Sequence, residues 1–398
     1  MKGNCLIAQS GGPTAVINNS LCGILKQAMH TQKAGKIFGA KRGIYGMLHG
    51  EYANLTHLPS TVLDRLRCSP GAALGSWRCK LSQADVVRMV EHMRSAEIRF
   101  FFYIGGNGSM QVARMIEQTA KEMGYGLTVI GIPKTVDNDL CLTDHAPGFG
   151  SAAKFIATCV LDIAMDIRSL PGSKRVTIVE TMGRNAGWLA AASALSGEGD
   201  TDMPPLIYIP EAPFRTDRFL EDIQSQYDRY GCALAVVSEG IRDEAGRLLA
   251  EDSIAKDPVG RPQLGGVSAY LARLVSGNTG LQGRNVLPGI WQRSGMLFSS
   301  RVDVDEAYQA GKAGFQLALE GRSGVMVSLR RIGKNPYTVA YEHVPLSEVA
   351  GRERTFPVEW YDSRSRSVSQ AFREYVAPLI QGEVLVPMNN GLPVYQTI

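Results

Sequence analysis

No stretch of the 398-residue chain offers the ~18 consecutive apolar residues that a membrane-crossing helix needs. The first residues, MKGNCLIAQSGGP, hold only a short apolar run, so no signal peptide is expected either. Cysteine is sparse and unpatterned: seven residues, at 5, 22, 68, 79, 141, 159 and 232, with no Cys-x-x-Cys pair. That spacing excludes a disulfide framework and a cysteine zinc site, and it reads as reduced thiols in a cytoplasmic protein. Charge of one sign is lacking too, since 42 Lys and Arg face 38 Asp and Glu, a formal net charge of +4. So small an excess implies no nucleic-acid partner, while local basic sites for small anions stay open. There is no low-complexity tract, no short-period repeat, no Gly-x-Ser-x-Gly elbow and no Ser-His-Asp set. His145 has no second histidine or cysteine to share a metal with and reads as structural.

What is present is an alternation of short apolar runs and longer amphipathic segments. Apolar residues make up 44% of the chain and charged residues 20%, enough to bury a large core in two domains. Cys5–Ala8, Phe101–Ile104, Leu127–Ile132, Arg175–Val179, Ala233–Val237 and Val325–Leu329 read as strands. Val16, Ile17, Leu21, Ile24, Leu25 and Ala28 share one helical face, and Gln83–Ser95 and Met110–Lys121 read as helices. The alternation predicts an α/β protein with mainly parallel sheets, helices on both faces and polar clusters just after the strands. Arg352–Arg366 is rich in charge and reads as surface or interface, and Val384–Ile398 as no more than an edge strand.

Several polar clusters follow predicted strands. Ser10-Gly11-Gly12-Pro13-Thr14 and Gly105-Gly106-Asn107-Gly108-Ser109 each end a strand and open a helix. Glycine lets the backbone approach a phosphate, and a helix N-terminus offers unpaired N–H groups. Taken singly, such turns are also ordinary connections or helix caps. Neither is a Walker A loop, which would need a terminal Gly-Lys-Ser/Thr. Pro133-Lys134-Thr135-Val136-Asp137-Asn138-Asp139 sets a cation, a hydroxyl and two carboxylates in one turn. Phosphoryl transfer to an alcohol needs a carboxylate to take the proton and cations around the moving group, although solvated charges in an Asx turn would look similar. Met182-Gly183-Arg184, Ser238-Glu239-Gly240 and the pair Arg284 and Arg293 complete the set. Arginine forks onto phosphate and a carboxylate grips sugar hydroxyls, against the plainer readings of a surface ion pair and a helix N-terminal acid.

Together these segments resemble the phosphofructokinase family, over residues from about 4 to about 330. PKTVDND, then MGRNAGW, then SEG, in that order, carry the resemblance. Lys134, HAPGFGSAAKFIAT and LPGIWQRS resemble its pyrophosphate-dependent branch. The resemblance implies two Rossmann-like domains with an active-site cleft between them. It implies a phosphoryl-donor domain at 1–142 plus about 294–345, a fructose 6-phosphate domain at 143–293, and a C-terminal segment, 346–398, of no assigned role. Asp137 would accept the C1-hydroxyl proton, with Lys134 and Arg184 as its catalytic partners. Thr135, Met182, Gly183, Arg184 and Glu239 would bind the acceptor, and Arg284 and Arg293 its 6-phosphate. Arg175 matches an arginine that family members donate across a subunit interface, which implies a homodimer or homotetramer. Gly12, Arg78, Gly108 and Lys134 would meet the donor phosphates.

Two positions depart from the family pattern. Asn107 stands where the family's metal-associated aspartate is expected, so Mg²⁺ would lean on Asn107, Asp139 and the donor phosphates. Gly108 stands where typical pyrophosphate enzymes carry an aspartate that excludes the α-phosphate of ATP, while Lys134 keeps a charge for a phosphate leaving group. The wider resemblance favours pyrophosphate as donor. ATP is the alternative, and a non-catalytic subunit that senses sugar phosphate is the second.

Overall fold

The computed structural model describes residues 3–170, 172–197, 203–256, 260 and 262–398. Its principal strands in chain order are β1 (Asn4–Gln9), β2 (Ile37–Ala40), β3 (Tyr52–Asn54), β4 (Ile98–Gly105), β5 (Thr128–Pro133), β6 (Arg175–Thr181), β7 (Leu206–Tyr208), β8 (Ala233–Ser238), β9 (Glu251–Lys256), β10 (Pro262–Leu264), β11 (Gln282–Val286), β12 (Val325–Lys334) and β13 (Tyr337–Pro345). The chain divides into two compact units. One holds residues 1–151, 293–354 and 381–398, the other 152–292 and 355–380. The stretch 346–398 is thus shared between them rather than forming a segment of its own.

In the first unit seven strands run in the order β13-β12-β5-β4-β1-β2-β3. The five central strands, β12 to β2, pair in parallel, and β13 and β3 add an antiparallel edge on each side. Strands buried on both faces read as unbroken apolar runs, which is why β1, β4 and β5 are visible in the sequence. Leu6, Ala8, Phe101 and Tyr103 fill the core on one face, and Cys5, Ile7, Phe100, Phe102 and Ile104 that on the other. This is the period-two alternation of a strand. From β1 the chain moves one way across the sheet, to β2 and β3. From β4 it moves the other way, to β5 and β12. The crevice above β1 and β4 is therefore the place where an open sheet receives its ligand.

Local signals agree with this frame. The helix Gln83–Ser95 starts at a capping box, in which the Ser82 hydroxyl accepts from Asp85 N and the Asp85 carboxylate accepts from Ser82 N. The second predicted helix begins three residues early, at Asn107, because Gly106 rather than Asn107 or Ser109 occupies the cap position. Asn107 and Gly108 thereby become its first turn. The predicted strand Val325–Leu329 continues to Lys334 as half of a β12–β13 hairpin. At the C-terminus only Met388–Asn389 and Leu392–Pro393 pair, and they join neither large sheet.

The second unit is built on an all-parallel sheet in the order β11-β6-β8-β7. Its core joins Val176, Ile178, Phe219, Ile223, Ala235 and Val237. Residues 355–380 bring Phe356, Trp360, Phe372 and Tyr375 around the fully buried Trp188, with ring centroids 5.1–6.3 Å from that indole. Arg366 within the charged stretch donates to Asp222, both largely buried, so this part of it is internal structure and not open surface.

In the first unit, the helices Ile17–Thr31 and Arg301–Leu319 meet backbone to backbone. A Cβ on Gly23 would lie 2.0 Å from Tyr308 O, and one on Gly311 would lie 2.1 Å from Ser20 O. Neither neighbour can swing away, since both are main chain. Gly311→Ala is expected to destabilise the chain by about 1–3 kcal/mol through overpacking. A urea midpoint equal to that of the wild type would contradict the close crossing.

Candidate active site

The site of the first unit is assembled at the C-terminal ends of three adjacent parallel strands, β1, β4 and β5. β1 runs into Ser10-Gly11-Gly12, β4 into Gly105-Gly106 and β5 into Pro133-Lys134. Ser10 accepts a hydrogen bond from the buried Tyr103 hydroxyl at 3.0 Å, and Lys134 N donates to Gly105 O at 3.0 Å. Gly11 sits at φ +77°, a conformation that glycine takes without strain. The Ser76 hydroxyl donates to Gly11 O at 2.8 Å and anchors the segment carrying Arg78. The helix Asn107–Glu122 opens with no side-chain cap, so its first N–H groups and positive dipole end stay available to an anion.

Three cations converge on Gly12. The Lys134 ammonium donates to Gly12 O at 2.8 Å. A Cβ on Gly12 would lie 2.9 Å from Arg293 Nη1 and 3.6 Å from Arg78 Nη2. Lys134 is 3% exposed. Burial lowers its pKa to about 7, the Arg78 and Arg293 charges push the same way, and Asp137 and Asp139 offset only part of this. Burial and Arg78 also lower Arg293, with Asp137 opposing them. A cluster of like charges at a glycine loop is a site that gains most when an anion arrives.

Asp137 follows three residues later and is half-buried. Its N–H donates to the Thr135 hydroxyl oxygen at 3.1 Å, and its charge acts on both Lys134 and Arg293. Asp139 Oδ1 is buried with no hydrogen-bond partner. Burial raises the pKa of this carboxyl, against a hydrogen bond from Thr135 and the Lys134 charge. A cation would fit that orphaned oxygen. Among the described residues, however, no three His, Cys, Asp or Glu are grouped to hold a metal. Asn107 is bonded to the backbone of a later segment. Its amide donates to Arg352 O and its oxygen accepts from Gly351 N at 2.9 Å, so the side chain is occupied as a tether of 351–352.

In the second unit β6 ends at Thr181 and runs into Met182-Gly183-Arg184, while its partner β8 ends at Ser238 and runs into Glu239-Gly240. The two turns lie directly on each other. The Ser238 hydroxyl donates to Gly183 O at 2.5 Å, and a Cβ on Gly240 would lie 1.9 Å from Arg184 O. Burial raises the Glu239 pKa, opposed by a backbone hydrogen bond from Gly183 and by the Arg184 charge. Gln292 is buried and accepts from Met182 N at 2.8 Å, while Glu211 accepts from Gly187 N and Phe356 N. Gln292 and Glu211 hold the loop from behind. Glu211 lacks any motif that would mark it in the sequence.

The three arginines expected at the acceptor phosphate stand on different elements. Arg293 lies with Gly12, Arg78 and Lys134. Arg284 is exposed on the edge strand β11, level with Thr177. Arg175 opens β6, its Nε buried without a hydrogen-bond partner. At about 3.3 Å per residue, Arg175 stands roughly 20 Å along the strand from Thr181. Neither arginine therefore joins Met182, Arg184 and Glu239 of its own unit at the strand ends.

The phosphofructokinase family profile matches residues 4–311. The pyrophosphate--fructose 6-phosphate 1-phosphotransferase of Halomonas elongata is 40% identical over 98% of this chain and 94% of its own. A sulfofructose kinase of Alkalicoccus urumqiensis is 35% identical over 94% of each chain. The crystal structure of the pyrophosphate-dependent phosphofructokinase of Marinobacter aquaeolei superposes with a TM-score of 0.90 at 37% identity, covering 99% of this chain and 96% of that one. The chain belongs to the phosphofructokinase family.

With a pKa of about 7, Lys134 is partly discharged at neutral pH until an anion restores its proton. Titration of inorganic phosphate at pH 7.5, in two buffers of different ionisation enthalpy, is expected to show more proton uptake for the wild type than for Lys134→Met, by up to about one proton. Equal uptake would show that Lys134 does not titrate at the site.

Proposed function

We propose that the protein transfers a phosphoryl group from pyrophosphate to the C1 hydroxyl of fructose 6-phosphate, giving fructose 1,6-bisphosphate and phosphate. The observation that carries this reading is the buried Lys134 ammonium on Gly12 O, flanked by Arg78 and Arg293, with Asp137 three residues on. Asp137 accepts the hydroxyl proton as the C1 oxygen bonds to the terminal phosphorus and the bridging P–O bond breaks. Lys134, Arg78, Arg293 and the glycine-loop amides meet the charge left on the departing phosphate. Thr135 contacts the reacting phosphoryl group. Met182, Gly183 and Arg184 bind the acceptor, with Arg184 also countering transition-state charge, and Glu239 binds sugar hydroxyls. Mg²⁺ would be held by Asp139 and the donor's own oxygens, and it would supply neutralisation of phosphate charge.

Arg175 and Arg284, set back from the strand ends, serve a 6-phosphate bound to a second copy of the chain. That arrangement requires a homodimer or homotetramer, which light scattering would detect. The seven cysteines are unpaired, in keeping with the cytoplasm, and no helix among the described residues is long and apolar enough to cross a membrane.

One observation favours ATP as a second reading. A Cβ on Gly108 would meet nothing within 4 Å, so the position is open to a larger donor. Beyond Ser76, the exposed Trp77 ring meets Tyr45 edge-on at 5.3 Å, a surface able to stack a base. A coupled assay with purified protein separates the readings. It compares pyrophosphate with ATP as donor, and fructose 6-phosphate with sedoheptulose 7-phosphate and sulfofructose as acceptors. Pyrophosphate with fructose 6-phosphate is expected to give the highest kcat/KM. A chain that binds fructose 6-phosphate but turns over with no donor would be a sensor, not an enzyme.

Asp137→Ser is expected to lower kcat by about 10²–10⁴, the usual contribution of a general base, with the Kd for fructose 6-phosphate little changed. Near-normal turnover in the folded variant would remove Asp137 from the role. Gly108→Asp is expected to fold normally, to keep pyrophosphate activity and to abolish any use of ATP. Retained ATP activity would show that this position does not choose the donor.

A further inference from the structure

His145 is fully buried, and both of its ring nitrogens face carboxylates. Nδ1 lies 2.8 Å from Asp144 Oδ1, and Nε2 lies 2.6 Å from Glu306 Oε2, on the helix Arg301–Leu319. The other Glu306 oxygen accepts the Tyr337 hydroxyl of β13 at 2.6 Å, and Asp144 Oδ1 also accepts Arg331 Nη2 of β12 at 3.0 Å. Ionised carboxylates only accept, so an imidazolium, with a donor on each ring nitrogen, satisfies both of them at once. Arg354 donates to the carbonyls of Thr143 and Asp144, closing the cluster from the segment after β13. Buried Asp303 and partly buried Tyr341 are the remaining ionisable groups that feel Glu306.

The strand of chain that leaves His145 is bonded to the segment bearing Asp137. Ala146 N donates to the buried Asn138 Oδ1 at 3.0 Å, Thr135 N donates to Pro147 O at 3.2 Å, and Gly148 N donates to Asp303 Oδ1 at 2.8 Å. Thr135 and Gly148 also form a parallel bridge. The clamp therefore grips one side of a short two-stranded crossing whose other side is Thr135–Asn138.

We propose that His145, clamped between Asp144 and Glu306, is a positioning residue that holds Thr135–Asp139 in place for phosphoryl transfer. The inference rests on the catalytic reading of Asp137 given above. A buried histidine that merely completes the core would contribute stability alone. This one is coupled through main-chain bonds to the carboxylate that must meet the acceptor hydroxyl, where sub-ångström errors are costly.

The charge gives the test its sign. Burial by itself would lower the His145 pKa, but the Glu306 charge, with hydrogen bonds to both carboxylates, brings it up to about 9 from 6.5. The folded value lies above the unfolded one, so the clamp's contribution to stability is fully present below pH 6.5, and the clamp itself is lost as pH rises through about 9. Glu306→Gln removes the charge that holds the His145 proton, so as pH rises the ring of the variant loses that proton, and with it the clamp, well before the wild type does. That variant is expected to match the wild type most closely near pH 6. By pH 8.5 its kcat should fall behind by about tenfold, with KM for fructose 6-phosphate within about twofold. Taking the ratio of the two enzymes cancels the titration of Lys134. His145→Gln is expected to lower kcat about tenfold at both pH values.

A flat ratio, together with His145→Gln at near-normal kcat, would overturn the proposal while leaving the phosphotransfer reading intact. If neither variant folds, hydrogen exchange on the wild type decides. Protection of the Thr135, Ala146 and Gly148 amides, corrected for intrinsic rates, should drop between pH 8 and 10, and unchanged protection would overturn the clamp. Wild-type inactivity with every donor would defeat the phosphotransfer reading instead, and the exchange experiment would still judge whether His145 holds the segment.

Discussion

A buried ammonium on a backbone carbonyl, Lys134 Nζ on Gly12 O, ties the end of β5 to the end of β1 across the intervening β4. The glycine loop, the arginines and Asp137 all take their places around that bond. Its chemistry is strained by design of the surroundings: burial and two guanidinium groups disfavour the charge, and two carboxylates only partly restore it. An electrostatic deficit of this kind is relieved when an anion arrives. The same deficit that weakens the empty site strengthens the occupied one.

Much of this was legible in the sequence because parallel strands buried on both faces write themselves as apolar runs. Phe101–Ile104 and Ala233–Val237 are examples, and the turns after them carry the polar residues. Gln83–Ser95 was legible from both ends, through its cap and its apolar face. The strand β11 was not, since Gln282, Arg284 and Asn285 are exposed at an edge and show no alternation. The hairpin β12–β13 was half seen, because its outer strand is only partly buried along its length.

The site was legible in its residue types and less so in their grouping. Lys134, Asp137 and the glycine turns stand together as their motifs imply. That Arg293 stands with Gly12, Arg78 and Lys134 could not be read from its neighbours in sequence, because the chain crosses from one unit to the other at 292/293. Asn107 was expected near the metal from the family resemblance, and its tether to 351–352 could not be read from local pattern. Glu211, which with Gln292 fixes the Met182–Gly187 turn, gave no signal, for a backbone N–H bound by a distant side chain leaves no periodic trace.

The interleaved composition of the two units has a consequence for synthesis. The chain passes between them at 151/152, 292/293, 354/355 and 380/381. Neither is a continuous stretch that a ribosome could release and let fold alone. The central parallel strand β12 and the aromatic ring set around Trp188 are both completed by residues translated after 320. A nascent polypeptide halted before that point lacks the partner strand of β5 and the rings that cover Trp188, surfaces of the kind that favour aggregation until they are filled.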